Sequence, residues 1–530
     1  MLFTSYSFLL FLVVLFVVYY LIPKRFQWIL LLVASYIFYS FVGLKFMVYI
    51  LATTISTYLI SRIISNIQIK QADYFKNNKG TIDKEDLKKY KANMKSQQKR
   101  WMATCLLINF GILAVLKYTD FSISNINFVI HLFNPEREFS YLNLAIPLGI
   151  SFYTFQSMGY LIDIYREKYS YEKNIFKFGL FISYFPQLIQ GPISRFDDLK
   201  KTMFEEHSYN QRSISLGFQR VLWGFFKKLV IADRLLVAVK TIVGSPDEYT
   251  GVYVLLGMLF YGIELYTDFS GGIDITIGIS EMLGINLKEN FNRPFFSKSI
   301  AEYWRRWHIT LGTWFKDYMF YPISISKPVL KLAKKSRERF GNSFGKRVPV
   351  YISTIVIWFT TGIWHGAAWN FAVWGLLNAV IILASHECTP LYTRFHTKFH
   401  VEHTFSFRLF QVARTFWLMA FLRTFDLYRG VGTTFKMYGS VFGDFNVSEL
   451  FNGGLLNLGL SVADYIIIVL SVTVLVTVSL LQRSGGVRER LMKKPVAVRY
   501  CTNFVLFLSI LIFGAYGVGY NASQFIYSQF

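Results

Sequence analysis

Charged residues are scarce in this sequence. They account for 17% of its 530 positions, whereas hydrophobic residues account for 53% and aromatic residues for 18%. Soluble domains carry about 25% charged residues, so this composition excludes an ordinary soluble protein. Apolar stretches close to the roughly 20 residues that cross a bilayer recur along most of the chain. The sequence therefore predicts a multi-pass protein of the cell membrane.

The sequence also lacks the alternation of apolar and polar residues that a transmembrane β-barrel requires. Its apolar runs are continuous or have a helical period, which predicts an all-α fold with about ten to thirteen membrane helices. The first run has no basic region before it and no small-residue cleavage site after it, so we expect it to be a retained span. The predicted spans are residues 7–22, 26–43, 44–65, 101–118, 142–165, 176–197, 213–243, 249–287, 348–385, 404–422, 461–483 and 500–520.

Acidic residues are outnumbered by basic ones, 32 to 56, and the formal net charge is +24. Residues 66–100 hold ten Lys or Arg and four Asp or Glu, and residues 327–347 hold eight and one. Both stretches are predicted to be cytoplasmic loops. If the spans alternate, the "PKR" sequence at residues 23–25, after the first span, lies on the same side as the basic run after the third span, so the positive-inside rule places the N-terminus outside. Contact with anionic lipids explains this charge, and the alternative is that one loop steers an anionic substrate or carrier. No nucleic-acid-binding module is recognisable, so no nucleic-acid partner is expected.

Cysteine and histidine are rare, and neither forms a recognisable metal site. The cysteines lie too far apart in sequence for metal or redox spacing, so no disulfide framework is expected. They are Cys105, Cys388 and Cys501. His396, His400 and His403 have a spacing that would place three imidazoles on one helix face, which suits metal ligation. Because no carboxylate or cysteine accompanies them, a polar segment at the membrane surface is the favoured interpretation, and no metal is predicted.

One ionisable residue is stranded in a long apolar run. His365 is the only group from Val348 to Ser385 that titrates near neutral pH. These 38 residues would extend about 57 Å as one straight helix, nearly twice the hydrocarbon thickness. The run is therefore predicted to break where Gly362 and Gly366 bracket the histidine. An ionisable residue at this depth is a functional candidate. It is either a neutral general base or a core histidine that donates to a helix carbonyl.

Three further ionisable residues lie in a glycine-rich apolar segment. Asp268, Asp274 and Glu281 are separated by six and seven positions, close to two helical turns each. This spacing predicts one polar stripe that faces the protein interior. The acids are expected either to pair with Arg305 or Arg306, or to form polar contacts that hold helices together.

Five motifs, in this order along the chain, carry a resemblance to a known family. They are "GISFYTFQSMGYLIDIYR" (149–166), "FPQLIQGPISR" (185–195), the run from Tyr266 to Pro322, "GIWHGAAWNFAVWG" (362–375) and "FLRTFDL" (421–427). With these motifs the chain resembles the bacterial branch of the membrane-bound O-acyltransferase family. Within that branch it is most similar to alginate O-acetylation subunits, and it is also similar to teichoic acid D-alanyl transfer proteins.

The resemblance implies an architecture and a reaction. Membrane helices would form a ring around a central funnel, through which an acyl group passes from a cytoplasmic thioester donor to a hydroxyl on the far side. The helical core would comprise residues 1–445, and residues 446–530 would add C-terminal membrane helices.

The resemblance also implies site residues. His365 matches the histidine of the "WHG" motif and is the expected base, unless it is itself transiently acylated. His308 matches the histidine of the "RWH" motif; it would position donor or acceptor or stabilise the oxyanion, or else it is a packed histidine that orients tryptophans. Arg305, Arg306 and Lys316 would either bind the phosphates of the donor or anchor the segment at the cytoplasmic surface.

Two features depart from the family pattern. Many alginate-type relatives carry a histidine where this chain has Asn378, so a catalytic role is not carried over to that position. The polar candidates for the funnel wall are Asp268, Asp274, Glu281 and Asn378. The second departure is residues 327–347, a longer basic stretch than the usual short turn, and it leaves the identity of the cytoplasmic donor or partner open.

Chain length distinguishes the acetylation subunits from the D-alanyl transfer proteins. D-alanylation proteins are shorter, whereas acetylation subunits have extra C-terminal spans like 461–483 and 500–520. We therefore expect acetyl transfer to an exported cell-envelope polysaccharide, with acetyl coenzyme A or an acyl carrier thioester as donor substrate and no bound cofactor. The expected partners are an extracytoplasmic esterase-like acetyltransferase, the polysaccharide and the bilayer. The alternatives are D-alanyl transfer to teichoic acid and a polytopic transporter or flippase, although no internal repeat typical of transporters is visible.

Overall fold

Helices dominate the part of the chain that the structure describes. The computed structural model describes residues 3–78 and 82–516, and within these ranges the only β pairing is one isolated bridge between Phe291 and Trp307. The all-α fold predicted from the apolar runs is confirmed. The chain divides into two compact units, of which unit 1 is Met1–Gln211 with Leu283–Leu287, and unit 2 is Arg212–Met282 with Lys288–Phe530.

The described part of unit 1 contains eight α-helices, the first of which is rich in Leu, Val and Phe. Ser5 caps the N-terminus of that helix by accepting a hydrogen bond from the backbone N–H of Phe8. The helices are α1 (Tyr6–Leu21), α2 (Gln27–Ser40), α3 (Met47–Asn77), α4 (Lys84–His131), α5 (Ile150–Tyr165), α6 (Ile175–Ser183), α7 (Phe185–Gln190) and α8 (Phe196–Met203).

The described part of unit 2 contains fifteen α-helices and two π-helical segments, Phe226–Ala232 and Lys316–Phe320. Its core surrounds the buried helix from Val252 to Met282. The helices are α9 (Gln211–Phe225), α10 (Asp233–Gly244), α11 (Val252–Met282), α12 (Ile300–Arg306), α13 (Ile309–Phe315), α14 (Tyr321–Ser324), α15 (Lys327–Phe340), α16 (Asn342–His365), α17 (Trp369–Glu387), α18 (Thr389–Phe399), α19 (Phe405–Tyr428), α20 (Val431–Gly443), α21 (Val462–Leu481), α22 (Val487–Met492) and α23 (Val496–Phe513). A domain boundary at residue 445 stays a prediction.

Seven helices in the described ranges are long and apolar enough to cross a membrane. They include α4, α11, α16, α17 and α23, and they support a multi-pass membrane protein. The count of about ten to thirteen spans stays a prediction, since shorter apolar helices such as α1 also contribute to it. Of the last predicted span, residues 517–520 lie outside the described residues.

The two basic stretches are helical, and their position in the cytoplasm stays a prediction. Apart from the undescribed residues 79–81, residues 66–100 belong mostly to the end of α3 and the start of α4, while residues 327–347 form α15 and the start of α16. Lys, Arg, Gln and Glu are good helix formers, so their exclusion from hydrocarbon does not prevent helix formation. Asp83 also caps α4, because its carboxylate accepts from the backbone N–H of Glu85 at 3.2 Å.

The helix in the long apolar run around His365 breaks at the position predicted from Gly362 and Gly366. Helix α16 ends at His365, and α17 begins at Trp369 after a short turn. A Cβ atom on Gly375 would lie 2.3 Å from the carbonyl oxygen of Trp358 and 3.1 Å from the Cα of Gly362. Glycine therefore lets the two helices approach closely on either side of the turn.

A second close crossing joins α9 and α11. A Cβ on Gly224 would lie 2.6 Å from the carbonyl oxygen of Gly271, and one on Gly278 would lie 2.7 Å from that of Gly217. The π-helical segment that follows α9 packs on α11 as well. This contact brings its two lysines to the acids of α11.

Candidate active site

His365 is the last residue of α16 and is buried, with 6% of its surface exposed. Its Nδ1 lies 2.7 Å from the carbonyl oxygen of Thr361, one turn earlier in the helix. Because a carbonyl oxygen only accepts, Nδ1 carries the proton, and Nε2 of the neutral ring carries the lone pair. The carbonyl contact expected of a core histidine therefore also selects the tautomer that a general base requires.

His308 is oriented by a left-handed backbone conformation. Its φ is 49° and its ψ is 52°, directly before α13. The backbone N–H of Asn292 donates to the carbonyl oxygen of Arg306 at 2.9 Å, and that of Ile309 donates to Asn290 at 3.0 Å. These two bonds tie the backbone on either side of His308 to residues 290–292, and the His308 side chain is buried with 3% exposed. A non-glycine residue in this region costs about 1–3 kcal/mol, which the surrounding bonds offset.

Asn290 is a site residue that sequence reasoning missed. Its Oδ1 accepts from the backbone N–H of Thr310 at 3.0 Å and from the Thr310 hydroxyl at 2.9 Å, and it lies 3.3 Å from Nδ1 of His308. Nδ1 of His308 therefore donates, and Nε2 carries the lone pair. Burial lowers the pKa of His308 well below its usual value, and the nearby His365 and Arg423 lower it further. Asn290 lies in a polar stretch that gave no signal of this role.

The two histidines meet on one indole ring. The ring centroids of His365 and Trp364 lie 4.8 Å apart, and those of His308 and Trp364 lie 6.1 Å apart. Phe269 of α11 packs against His308 with the centroids 4.9 Å apart. The structure thus brings both histidines named from the sequence into one buried aromatic site within unit 2.

Asn378 supports this site through two tryptophans. It is fully buried. Its Oδ1 accepts from Nε1 of Trp304 at 3.1 Å, and its Nδ2 donates to the carbonyl oxygen of Trp374 at 2.8 Å. The ring of Trp374 in turn packs against His365 with the centroids 4.8 Å apart. Asn378 therefore ties α12 to α17 beside the histidine.

Arg423 of α19 is a second residue that sequence reasoning missed. It is buried, its Cζ lies 4.8 Å from the ring centroid of Trp307, and its Nη1 lies 3.7 Å from the carboxylate of Asp426. The available signal was an arginine and an aspartate three positions apart in the apolar "FLRTFDL" motif. That motif contributed to the family resemblance, but it did not reveal a role for these side chains.

Buried basic side chains pair with two of the α11 acids. Lys228 Nζ lies 2.6 Å from Asp268, and Lys227 Nζ lies 2.6 Å from Asp274. Arg220 of α9 adds a second contact to Asp274 at 2.9 Å. Each charge is compensated within the protein, as burial of charged groups requires. Lys227 and Lys228 interrupt the apolar run 213–243, which was a signal that the sequence interpretation did not use.

The suggested pairing of the acids with Arg305 or Arg306 is wrong. Arg488 lies 2.6 Å from Glu281, and Arg306 lies 2.6 Å from Glu302, one turn earlier on its own helix. Residues four apart on a helix lie on the same face, so the local pair forms most readily.

The candidate donor-binding residues do not share the buried site of His308. Arg305 and Lys316 are exposed, and Lys316 Nζ lies 5.7 Å from the ring centroid of Tyr321. Arg306 is half-buried beside its carboxylate partner. These residues offer exposed positive charge on the segments that flank His308, and phosphate binding by them stays a prediction.

The histidine triplet does not share one helix face. Helix α18 ends at Phe399, and His400 has a φ of 50°, so the chain leaves the helix before His403. His403 instead lies 3.4 Å from Arg408. Within residues 3–78 and 82–516, no group of three or more His, Cys, Asp or Glu side chains is placed to hold a metal.

Comparison with known proteins identifies the family. The family model for MBOAT, the membrane-bound O-acyltransferase family, matches residues 36–336. The probable alginate O-acetylase of Azotobacter vinelandii is 31% identical over 453 residues, which cover 85% of this chain and 80% of that protein. The peptidoglycan O-acetyltransferase of Helicobacter pylori is 30% identical over 406 residues, which cover 72% of this chain and 67% of that protein. The teichoic acid D-alanyltransferase of Bacillus subtilis is 28% identical over 262 residues, which cover 48% of this chain and 62% of that protein.

The site geometry agrees with these matches. The matched range includes His308 and the acids of α11. Each of the two buried histidines carries a lone pair on Nε2, which is the group that a general base for acyl transfer to a hydroxyl requires. The chain therefore belongs to the membrane-bound O-acyltransferase family and is an O-acyltransferase.

Proposed function

We propose that this enzyme passes an acetyl group from a cytoplasmic thioester across the membrane, for O-acetylation of an exported cell-envelope polysaccharide. The observation that carries the proposal is the meeting of His308 and His365 on Trp364. The relatives named for acetyl transfer to alginate and to peptidoglycan match 85% and 72% of this chain. The relative named for D-alanyl transfer matches 48%, which favours acetyl as the group transferred.

His365 is the general base of this reaction. Its Nε2 takes the proton of the acceptor hydroxyl as the hydroxyl oxygen attacks the carbonyl carbon of the thioester. The tetrahedral intermediate then collapses, so that the new C–O bond remains and the C–S bond breaks. The proton on His365 passes to the departing thiolate. Every atom and electron pair is accounted for without a redox partner.

His308 positions a reactant in this scheme. Its Nδ1 proton points to Asn290, so Nε2 of the neutral ring is an acceptor. An acceptor does not stabilise an oxyanion, which needs donors. Nε2 of His308 instead accepts a hydrogen bond, either from the hydroxyl that is to be acylated or from an amide N–H of the pantetheine arm of the thioester. Of the roles expected from the sequence, this geometry supports positioning.

The two sides of the membrane have different tasks in this proposal. The basic residues of 66–100 and 327–347 lie in the cytoplasm with the donor, and the N-terminus lies outside. Acetyl coenzyme A is the proposed donor, and Arg305 and Lys316 offer exposed charge for its phosphates. An extracytoplasmic esterase-like partner receives the acetyl group and completes its delivery to the polysaccharide. D-alanyl transfer from a carrier thioester is the second candidate.

The test uses purified enzyme in proteoliposomes with its partner and radiolabelled acetyl coenzyme A. Wild type is expected to release coenzyme A and to label the acceptor. The rate of acetyl transfer by His365→Ala should be lower by at least about 100-fold. The exposed His386 of α17 provides a matched control, since His386→Ala should retain the wild-type rate. Equal labelling by His365→Ala contradicts the assigned base. Labelling only from a D-alanyl carrier thioester contradicts the acetyl assignment.

A further inference from the structure

Arg423 lies in a cage of three tryptophans. Its Cζ lies 4.8 Å from the ring centroid of Trp307, 5.5 Å from that of Trp374 and 5.6 Å from that of Trp304. Only 4% of the arginine surface is exposed. Attraction between a cation and an aromatic face grows to about 2 kcal/mol or more when the pair is desolvated. The guanidinium therefore contributes substantially to holding these indole rings together.

Two polar side chains lie beside the guanidinium. Asp426, one turn further along α19, lies 3.7 Å from it and also accepts a hydrogen bond of 2.5 Å from the hydroxyl of Tyr261. Arg423 also interacts electrostatically with the phenol of Tyr303. A guanidinium is a planar group that stacks on aromatic faces, so the three indole rings and Asp426 together fix its position. A lysine at this position would keep the charge and lose the plane.

The caged tryptophans lie beside the two histidines. Trp307 directly precedes His308 in the chain, Trp304 lies four positions before it, and Trp374 packs against His365. We propose that Arg423 is a positioning residue for acyl transfer, whose guanidinium holds the tryptophans of α12 against α17 and thereby keeps His308 and His365 in register. This inference rests on the proposed function for its effect on rate, but not for its effect on structure.

The charge of Arg423 has a separate consequence for His308. The groups that face His308 are Arg423 of α19, His365 of α16, Asn290 and the ring of Phe269. A fixed cation nearby disfavours protonation of the imidazole. Removal of this cation should let His308 protonate at higher pH. The acid limb of the pH profile of kcat/KM should then move to higher pH.

The test compares Arg423→Gln, Arg423→Lys and a control, Arg414→Gln, which removes an exposed arginine of the same helix. Transfer kinetics are measured from pH 5 to 9, and hydrogen exchange is followed by mass spectrometry at residues 302–309 and 362–370. Arg423→Gln is expected to lower kcat about 100-fold with KM within about threefold, to shift the acid limb and to raise exchange in both segments. Arg423→Lys should keep the acid limb of wild type and have a kcat about tenfold higher than that of Arg423→Gln. The lysine keeps the positive charge but lacks the planar guanidinium.

The outcomes separate this proposal from the proposed function. Unchanged exchange and kcat in Arg423→Gln, with Arg414→Gln also unchanged, overturn the positioning role alone. Absence of acetyl transfer by wild type overturns the proposed function alone, because the exchange measurement still decides the role of Arg423. If Arg423→Gln does not elute as a folded protein, Arg423→Lys decides the question. Wild-type exchange and kcat in that folded variant overturn the role, and intermediate values support it.

Discussion

His308 and His365 pack against the same indole ring, that of Trp364. The centroid distances to this ring are 6.1 Å and 4.8 Å. The ring is buried, with 6% of Trp364 exposed. The two histidines, 57 positions apart in the chain, therefore pack against a single buried side chain.

Trp364→Ala is expected to lower the transfer rate by at least about tenfold, because both imidazoles lose the surface that orients them. The deletion also leaves a cavity, which costs about 3–5 kcal/mol in folding stability. Trp364→Phe keeps an aromatic ring and should stay within about threefold of the wild-type rate. Initial rates and the thermal midpoint in detergent measure the two effects. The exposed Trp417 supplies a control, and a wild-type rate in Trp364→Ala would show that the ring does not orient the pair.

The left-handed conformation of His308 predicts a separation between folding and activity. Asparagine adopts a positive φ with less strain than other residues, whereas a β-branched residue is strongly disfavoured there. His308→Asn should therefore fold with a thermal midpoint close to wild type and lose transfer activity. His308→Val should lose both activity and stability. Size-exclusion elution after heating measures stability, and equal midpoints for the two variants would refute the role assigned to the backbone.

The features that the sequence predicted correctly depend on local chemistry. The break beside His365 follows from the length of one apolar run and from two glycines within it. The whole of that information lies in a single segment. The helical conformation of residues 327–347 was not predicted, because the charge of a segment reports the environment of its residues and not the backbone conformation.

The features that the sequence did not predict depend on partners far along the chain. Arg423 contacts Trp307, and Lys228 pairs with Asp268 across 40 positions. Burial implies that each charge must have a partner. It does not say which residue that partner is, because helix packing decides the choice. Asn290 was missed for the same reason, since a backbone bridge brings it to His308.

The close approach of α16 and α17 predicts that Gly375 tolerates no side chain. A Cβ there would lie 2.3 Å from the carbonyl oxygen of Trp358, well inside contact distance. Gly375→Ala should force the helices apart, displace His365 and abolish transfer. Gly111→Ala is the matched control, since a Cβ there meets nothing within 4 Å. Expression level, monodisperse elution and transfer rate are the measurements. A folded, fully active Gly375→Ala protein would contradict the tight packing.

The buried pair of Lys228 and Asp268 predicts strong non-additivity in stability. The ammonium lies 2.6 Å from Asp268 and 2.8 Å from Asp233, and these side chains are almost wholly buried. Lys228→Met leaves the carboxylates of Asp268 and Asp233 buried without this cation and should cost about 3–5 kcal/mol. Lys228→Met combined with Asp268→Asn removes one of these two negative charges, so its loss should be smaller than the sum of the single losses by about 0.5–3 kcal/mol. Lys436 pairs with Asp247 on the surface, and Lys436→Met should therefore change little. Thermal midpoints of the four proteins and wild type give the comparison, and strictly additive losses would mean that the buried pair is not energetically coupled.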